Sequence, residues 1–263
     1  GEDSPDVLLA VALLVRAARH GSVCLDLGEV AELLPDHDWP DPVAWLATIR
    51  ASALTGVALR VEDGPGPALV YLHRYRAEEG AVVADLRERT VRAEPPVDER
   101  RLAAALDRLF PESFDEQRQA AEESARRWTS VITGGPGTGK TTTLARLLAV
   151  LADQGTPTGT PLRIALAAPT GKAAARLQES VREQAGALGL PDDLSAMTLH
   201  RLLGWRPDSR TRFRHDRTNR LSHDVVLVDE ASMVSLTQMA RLLEALRPGA
   251  RLILVGDADQ LVS

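Results

Sequence analysis

Apolar and polar positions divide the chain into two stretches of different rhythm. In the first hundred residues the pattern is short and mixed. Asp6–His20 has helical spacing around the run VLLAVALLV, and SVCLDL (22–27) reads as a brief strand followed by a helix over GEVAELL. Pro40 and Pro42 open the helix PVAWLATIRAS, since proline is tolerated in a first turn. Two strands, 57–62 and 68–72, flank a Gly/Pro turn, and a charged helix runs through 74–90. Pro95-Pro96 forbids helix through RAEPPVDE (92–99), which reads as a linker. The expected division is therefore a small mixed α/β domain over 1–95 and a larger one over 96–263. No chemical motif falls in the first.

After the linker come two amphipathic helices, VDERRLAAALDRLF and 115–128, and then a regular alternation. TSVIT (129–133) precedes a helix over 139–153, RIALAA (163–168) a helix over 170–186, and DVVLVDE (224–230) a helix over 235–246, with RLILVGD (251–257) last. These strands are almost continuously apolar, as strands covered on both faces are. The alternation predicts a parallel sheet with right-handed crossovers, an α/β fold. Ligands in such sheets bind beyond the carboxyl ends of the strands. Each strand here ends in polar residues, GGPGTGKT, PTGK, DE and GDADQ.

Composition changes this picture little. The 263 residues are 44% hydrophobic but only 3% aromatic, so Ala, Leu and Val must fill the cores. The single cysteine, Cys24, excludes an internal disulfide and fits a reducing, cytoplasmic compartment. VLLAVALLV is too short for a bilayer span, which takes about 20 residues. Charge is more telling. The net −6 is split, with 24 acids and 15 bases before residue 129 and 13 acids and 16 bases after it. An acidic module and a basic module suit different partners. Of 31 basic side chains only Lys140 and Lys172 are lysines, and both follow glycine at the end of an expected strand.

Gly134–Thr141 fits G-x-x-x-x-G-K-[ST], after an apolar strand and before a helix. A polyphosphate needs several N–H donors converging on one volume. Gly134, Gly135, Gly137 and Gly139 permit that approach, the helix N-terminus adds positive potential, Lys140 reaches the outer phosphates and Thr141 offers its hydroxyl to Mg²⁺. Asp229 and Glu230 close a buried strand; one carboxylate suits the metal and the other suits a base for the attacking water. Gln260 is placed to sense the terminal phosphate, with Asp257 bracing its loop.

These features occur in kinases, transporters, GTPases and helicases alike. APTGKAAARL (168–177) supplies a second Gly-Lys turn at a helix N-terminus, off the nucleotide loop, where another phosphate would bind. SAMTLHRLLGW (195–205) adds Thr198, His200 and Arg201. RPDSRTRFRHDRTNRLSHD (206–224) holds six arginines, three aspartates and Phe213, with Trp205 just before it. That stretch reads as a single-strand track with a stacking aromatic, or equally as an arginine-coated loop.

In order, GGPGTGKTTT, LAAPTGKAAARL, TLHRLLG, VLVDEASMV and LVGDADQL resemble motifs I, Ia, Ib, II and III of superfamily 1 helicases. The resemblance is strongest to the RecD family, the exodeoxyribonuclease V alpha subunits of bacterial RecBCD helicase–nucleases. It covers about 105–263 strongly; the first module fits by size and placement alone. It implies an α/β RecA-like P-loop NTPase domain over 96–263 and a 5′→3′ ATP-dependent DNA helicase subunit acting in double-strand break repair and recombination, with ATP and Mg²⁺ as cofactors. RecC-like and RecB-like subunits and single-stranded DNA are the implied partners. It further implies that Gln117 reads adenine and that Gly134, Gly135, Pro136, Gly137, Thr138, Gly139, Lys140, Thr141 and Thr142 hold the nucleotide. Thr141 and Asp229 would serve the metal, and Lys140, Asp229, Glu230 and Gln260 catalysis. Pro169, Thr170, Gly171, Lys172, Thr198, His200 and Arg201 would line the DNA path. The family places a second RecA-like domain with an arginine finger after motif III, and the chain stops at Ser263. This polypeptide alone is therefore expected to bind nucleotide weakly and not to unwind DNA. The other readings are a stand-alone RecD-like helicase, a non-catalytic scaffold and a small-molecule kinase. About 100 residues precede the motor, without helix-hairpin-helix repeats, which disfavours the first of these. The intact Lys140, Asp229 and Glu230 disfavour the second, and PTGKAAARL the third.

Overall fold

The first unit is built on three helices and a small sheet. In the computed structural model, residues 4–33, 35, 37–111, 114–134, 140–155, 159–191, 194–206 and 212–257 are described, apart from the side chains of Lys140 and Thr141. Helix α1 (Pro5–Arg19) begins with proline in its first turn. Strand β1 (Cys24–Asp26) and the short α2 (Val30–Leu33) follow. Helix α3 (Pro42–Ala51) is capped by Asp41, whose carboxylate accepts from the Ala44 N–H at 2.9 Å. Strands β2 (Leu59–Glu62) and β3 (Leu69–Leu72) complete an antiparallel sheet in the order β1-β3-β2. β2 starts two residues later than the expected 57 because the Ala58 and Leu59 N–H groups turn back to the Leu54 carbonyl. Val7, Ala10, Leu14, Trp45, Ile49, Leu59 and Val70 form the core. Trp45 is buried whole because its indole N–H finds the Asp6 carbonyl at 2.8 Å.

Helix α4 (His73–Val91) is continuous, yet contacts divide the chain within it. One unit holds Gly1–Val82 with Ser235–Thr237 and Ser263; the other holds Val83–Val234 and Gln238–Val262. The expected boundary lay later, at 95/96. The difference has a local cause. Arg89 donates to the Trp128 carbonyl and the Thr129 hydroxyl, both at 2.7 Å, and to the Ala250 carbonyl. Arg92 donates to the Pro248 carbonyl and lies over the Trp128 ring. Asp85 accepts both bonds of a fork from Arg217 at 2.8 Å. The last turns of α4 thus belong to the second unit, and burial holds the Arg89 pKa below its ordinary value.

In that unit α5 (Glu99–Leu109) and α6 (Asp115–Ala125) precede a five-stranded, wholly parallel sheet. Its strands are β4 (Thr129–Thr133), β5 (Ile164–Ala168), β6 (Ala196–Thr198), β7 (Val225–Val228) and β8 (Arg251–Gly256), in the order β4-β8-β7-β5-β6. The connecting helices are α7 (Lys140–Gln154), α8 (Gly171–Leu188), the short α9 (Leu199–Leu203) and α10 (Leu236–Ala245). Val225, Leu227, Ile253, Val255 and Leu166 share one core with Leu144, Leu147, Leu148 and Leu151 of α7 and Leu177 and Val181 of α8. Period-two alternation turns Val226, Val228 and Leu252 to the opposite face, where they are equally buried. The two edge strands depart from this continuous burial, β6 being half-buried throughout and Val131 of β4 67% exposed. Among the described residues no helix is long and apolar enough to cross a membrane.

Asp224 fixes the start of the acid-bearing strand. Its carboxylate accepts from the Arg163 N–H at 2.9 Å and from the Arg247 guanidinium at 2.6 Å. Its own N–H and C=O bond Arg163 and Arg251, the residues that lead into β5 and β8. Burial pushes its pKa up, but the Arg163 and Arg247 hydrogen bonds outweigh that and hold it below the usual 3.8. A depressed folded-state pKa stabilises above the unfolded value and is lost as pH falls through the folded one. Asp224→Asn is expected to lower unfolding stability by about 2 kcal/mol at pH 7. The gap should close as pH drops below 3.8, as urea midpoints of both proteins across pH 3–7 would show.

Candidate functional site

Sheet order brings the chemistry-bearing loops together. Thr133 of β4 is level with Gly256 of β8, Val228 of β7 with Leu254 of β8 and Ala167 of β5, and Ala168 of β5 with Thr198 of β6. Along one edge the order is therefore the loop after Thr133, the turn at Asp257, the acid pair, PTGK and then Thr198–Arg201. The nucleotide loop and the acid pair are not neighbours in the sheet, because β8 is inserted between their strands.

Residues 135–139 and 260 lie outside the described residues, as do the side chains of Lys140 and Thr141. The flanks of the loop are described. β4 ends at Thr133, at the carboxyl edge, and α7 begins at Lys140. Thr142 is half-buried and Thr143 buried as α7 enters the core. Gln117 sits half-buried in the first turn of α6, a helix packed on α7 and β4.

The acid pair follows β7 directly. Glu230 has φ 51°, and among the described residues it is the one non-glycine residue in the left-handed region. That conformation costs roughly 1–2 kcal/mol for a side chain with a Cβ. It is held by the neighbouring carboxylate, since the Asp229 Oδ1 accepts the Glu230 N–H at 2.9 Å, and by the Asp229 N–H, which donates to the Ala167 carbonyl at 2.9 Å. The strain turns the chain into a 3-10 turn, Ala231–Met233, folded against the end of β8. Gly256 makes that approach possible, because a Cβ there would stand 3.2 Å from the Ser232 N. The Ser232 hydroxyl is buried and has no hydrogen-bond partner among the described residues. Asp257, next along, is buried. Strained backbone persists where its surroundings fix it, and it gathers at functional sites. Sequence reading named Asp229, Glu230 and Asp257 but not Ser232; its only signal was a small polar residue directly behind the acids.

Further along the edge, Thr170 caps α8 by accepting from the Ala173 N–H at 3.2 Å, and Thr198 caps α9 by accepting from the Arg201 N–H at 3.2 Å. Each hydroxyl spends its oxygen on the helix and can still turn its O–H outward. Pro169 is half-buried, while Gly171, Lys172, His200 and Arg201 are exposed. His200 stands edge-on to Phe213, with ring centroids 5.7 Å apart. The expected DNA-path residues from PTGK and TLHR thus lie on adjacent strand ends.

The arginine-rich segment is tied into the domain where it is described. Phe213 is buried and is not a surface aromatic. Arg217 is paired with Asp85, and Arg220 donates to the Leu246 carbonyl. Asp216 closes a turn by accepting from Thr218 and Asn219, whose hydrogen bonds hold its pKa below the ordinary value.

Comparison with known proteins adds to this geometry. Residues 117–263 match the family model described as an AAA domain, and residues 1–66 that of the RecBCD enzyme subunit RecD, N-terminal domain. The chain is 55% identical over 273 aligned residues to the RecBCD enzyme subunit RecD of Mycobacterium tuberculosis, covering 100% of this chain and 46% of that protein. It is 56% identical to the subunit of the same name from Mycolicibacterium smegmatis, covering 99% and 48%. To the ATP-dependent RecD2 DNA helicase of Deinococcus radiodurans it is 39% identical over 202 residues, covering 74% and 25%. The chain spans about half the length of its mycobacterial relatives.

Proposed function

Since the chain belongs to the AAA domain family and its start matches the RecD N-terminal domain, we propose that it forms the N-terminal module and first motor domain of an ATP-driven, 5′→3′ DNA helicase subunit. The protein would work in double-strand break repair and recombination within a RecBCD-type complex. The acidic first module would face a RecC-like subunit, with a RecB-like subunit completing the assembly. The observation that carries this reading is the sheet order. In it the strands that lead to the expected nucleotide loop, the acid pair and the second Gly-Lys turn run parallel, with β8 between the first two, which supports a shared edge for all three.

The residues fit a magnesium nucleotide. Gly134, Gly135, Gly137, Gly139 and Lys140 would cradle the phosphates, and Gln117 would read the base. Thr141 and Asp229 would hold the ion, which supplies charge neutralisation on the phosphates. Among the described residues no three His, Cys, Asp or Glu side chains converge as a self-contained metal site, which agrees with an ion shared with a ligand. Glu230 would take the proton of the attacking water, and its left-handed backbone sets it apart from Asp229 despite their adjacency. Gln260 would report the terminal phosphate through the β8 loop. Lys172, Thr170, Thr198, His200 and Arg201 would hold the DNA strand beside it.

The test uses the full-length protein with its partner subunits. ATP hydrolysis should rise on adding single-stranded oligonucleotide, and strand separation should require a 5′ single-stranded tail. Hydrolysis indifferent to DNA would sink the motor reading. Activity equal with and without the RecB- and RecC-like chains would favour a stand-alone helicase.

A further inference from the structure

Trp205 is the one tryptophan of four that stands as an exposed large hydrophobic side chain, at 54% exposure. The other three have protein partners. Trp45 is buried, Trp39 stacks on it with centroids 6.3 Å apart, and Trp128 donates to the Ala93 carbonyl beneath Arg92.

The backbone at Trp205 is firmly placed. Gly204 ends α9 in the left-handed region with φ 72°, and a Cβ there would stand 2.7 Å from the Arg214 Cβ. The Trp205 N–H then donates to the His200 carbonyl at 2.9 Å, and Trp205 bridges Phe213 in antiparallel fashion. Two more main-chain bonds join the same segments, Arg214 N–H to the Gly204 carbonyl at 2.8 Å and His215 N–H to the Leu203 carbonyl at 3.0 Å. Phe213 is buried with its ring 5.7 Å from that of His200, while Trp205, its partner in the bridge, keeps an exposed ring.

The outward ring borders an open cavity of about 670 Å³ lined by Thr198, His200, Arg201, Gly204 and Trp205. Among the described residues its lining includes a guanidinium and no carboxylate. Thr198 is in register with Ala168, so the cavity continues the line of the PTGK turn and its exposed Lys172. Cationic and hydroxyl groups along a strand-end edge, finished by an exposed ring, match the chemistry of a nucleic-acid strand, with phosphates on the cations and a base on the indole.

We propose that Trp205 is the stacking platform for one base of the single-stranded DNA bound along this edge. The inference rests on the DNA-binding reading above and adds where a base, not a phosphate, is gripped. Of the two aromatics the sequence nominated, it gives the stacking role to Trp205, since Phe213 is buried.

The test is equilibrium binding of two labelled strands, oligo-dT and an otherwise identical strand of abasic sites, to the full-length protein. Trp205→Ala should weaken oligo-dT binding roughly 5- to 150-fold, leave the abasic strand's affinity unchanged, and abolish the quenching of tryptophan fluorescence that oligo-dT causes. Trp205→Phe should restore most of the oligo-dT affinity. Equal affinity of wild type and Trp205→Ala for oligo-dT would overturn the proposal while leaving the DNA-binding reading intact. Equal weakening for both strands would assign Trp205 a structural or protein-contact role and overturn it too. Failure of the wild type to bind either strand would remove the DNA-binding reading itself, and this one with it.

Discussion

Glu230→Gln should slow DNA-stimulated ATP hydrolysis by the full-length protein about 10²–10⁴-fold, the usual worth of a positioned general base, with nucleotide affinity unchanged. Glutamine keeps the shape and can still orient a water, but it cannot take its proton. It should also keep the fold. Glu230 is already in the left-handed region, and what holds it there is its own N–H to Asp229 and the packing of residues 231–232 on Gly256, neither of which uses the Glu230 side chain. Asp229→Asn should behave differently. It alters the acceptor of that same N–H and the expected metal ligand together, so nucleotide binding in magnesium should suffer along with turnover. Fluorescent-nucleotide titration beside single-turnover hydrolysis separates the two. Glu230→Gln turnover within a few-fold of wild type would remove Glu230 from the role of base and leave the acid pair as a strained turn alone.

The larger elements were legible because periodicity is enough for them. Wholly buried β7 reads as VVLV, and α7 and α8 present apolar faces over several turns. Shorter elements were not. β6 has three residues and α9 five, too few for a period to show, although their capping signals were in plain view as Thr198 before α9 and Gly204 after it. Sheet order was illegible for a different reason. That β8 lies between β4 and β7 depends on which strand edges pair, and nothing in RLILVGD marks its neighbours. The ownership of helix α4 was hidden likewise. Arg89 looks like any surface arginine on a charged helix, but its acceptors are Trp128, Thr129 and Ala250, far along the chain. The two aromatics around the arginine-rich segment show the limit most sharply. Composition nominated both Trp205 and Phe213. Which ring is buried depends on how the paired segments around Gly204 and Phe213 pack on the rest of the domain, and no local pattern marks that.

Lys140→Gln is the complementary experiment, because it should remove binding where Glu230→Gln removes only turnover. The position of residue 140 is set by the helix it begins. Leu144, Leu147, Leu148 and Leu151 anchor α7 in the main core, and Thr143 and Ala145 are buried beside them. That anchorage owes nothing to the lysine, so the variant should fold, assemble with its partner subunits and bind single-stranded DNA as before. What it loses is the compact, rotatable point charge that a cramped phosphate site can use and that arginine's wide fork would not replace. With an oriented electrostatic group removed, turnover should fall by about 10²–10³-fold, and nucleotide should bind more weakly to the assembled protein. Lys172→Gln should give the opposite pattern, with nucleotide affinity kept and DNA affinity reduced together with its salt dependence, since that lysine follows a different strand on the same edge. Parallel titrations of nucleotide and oligo-dT with both variants would assign the two lysines of the chain to two ligands. If Lys140→Gln instead disrupts assembly or lowers the melting temperature, the lysine holds the fold and the phosphate-site assignment of residues 134–141 must be abandoned.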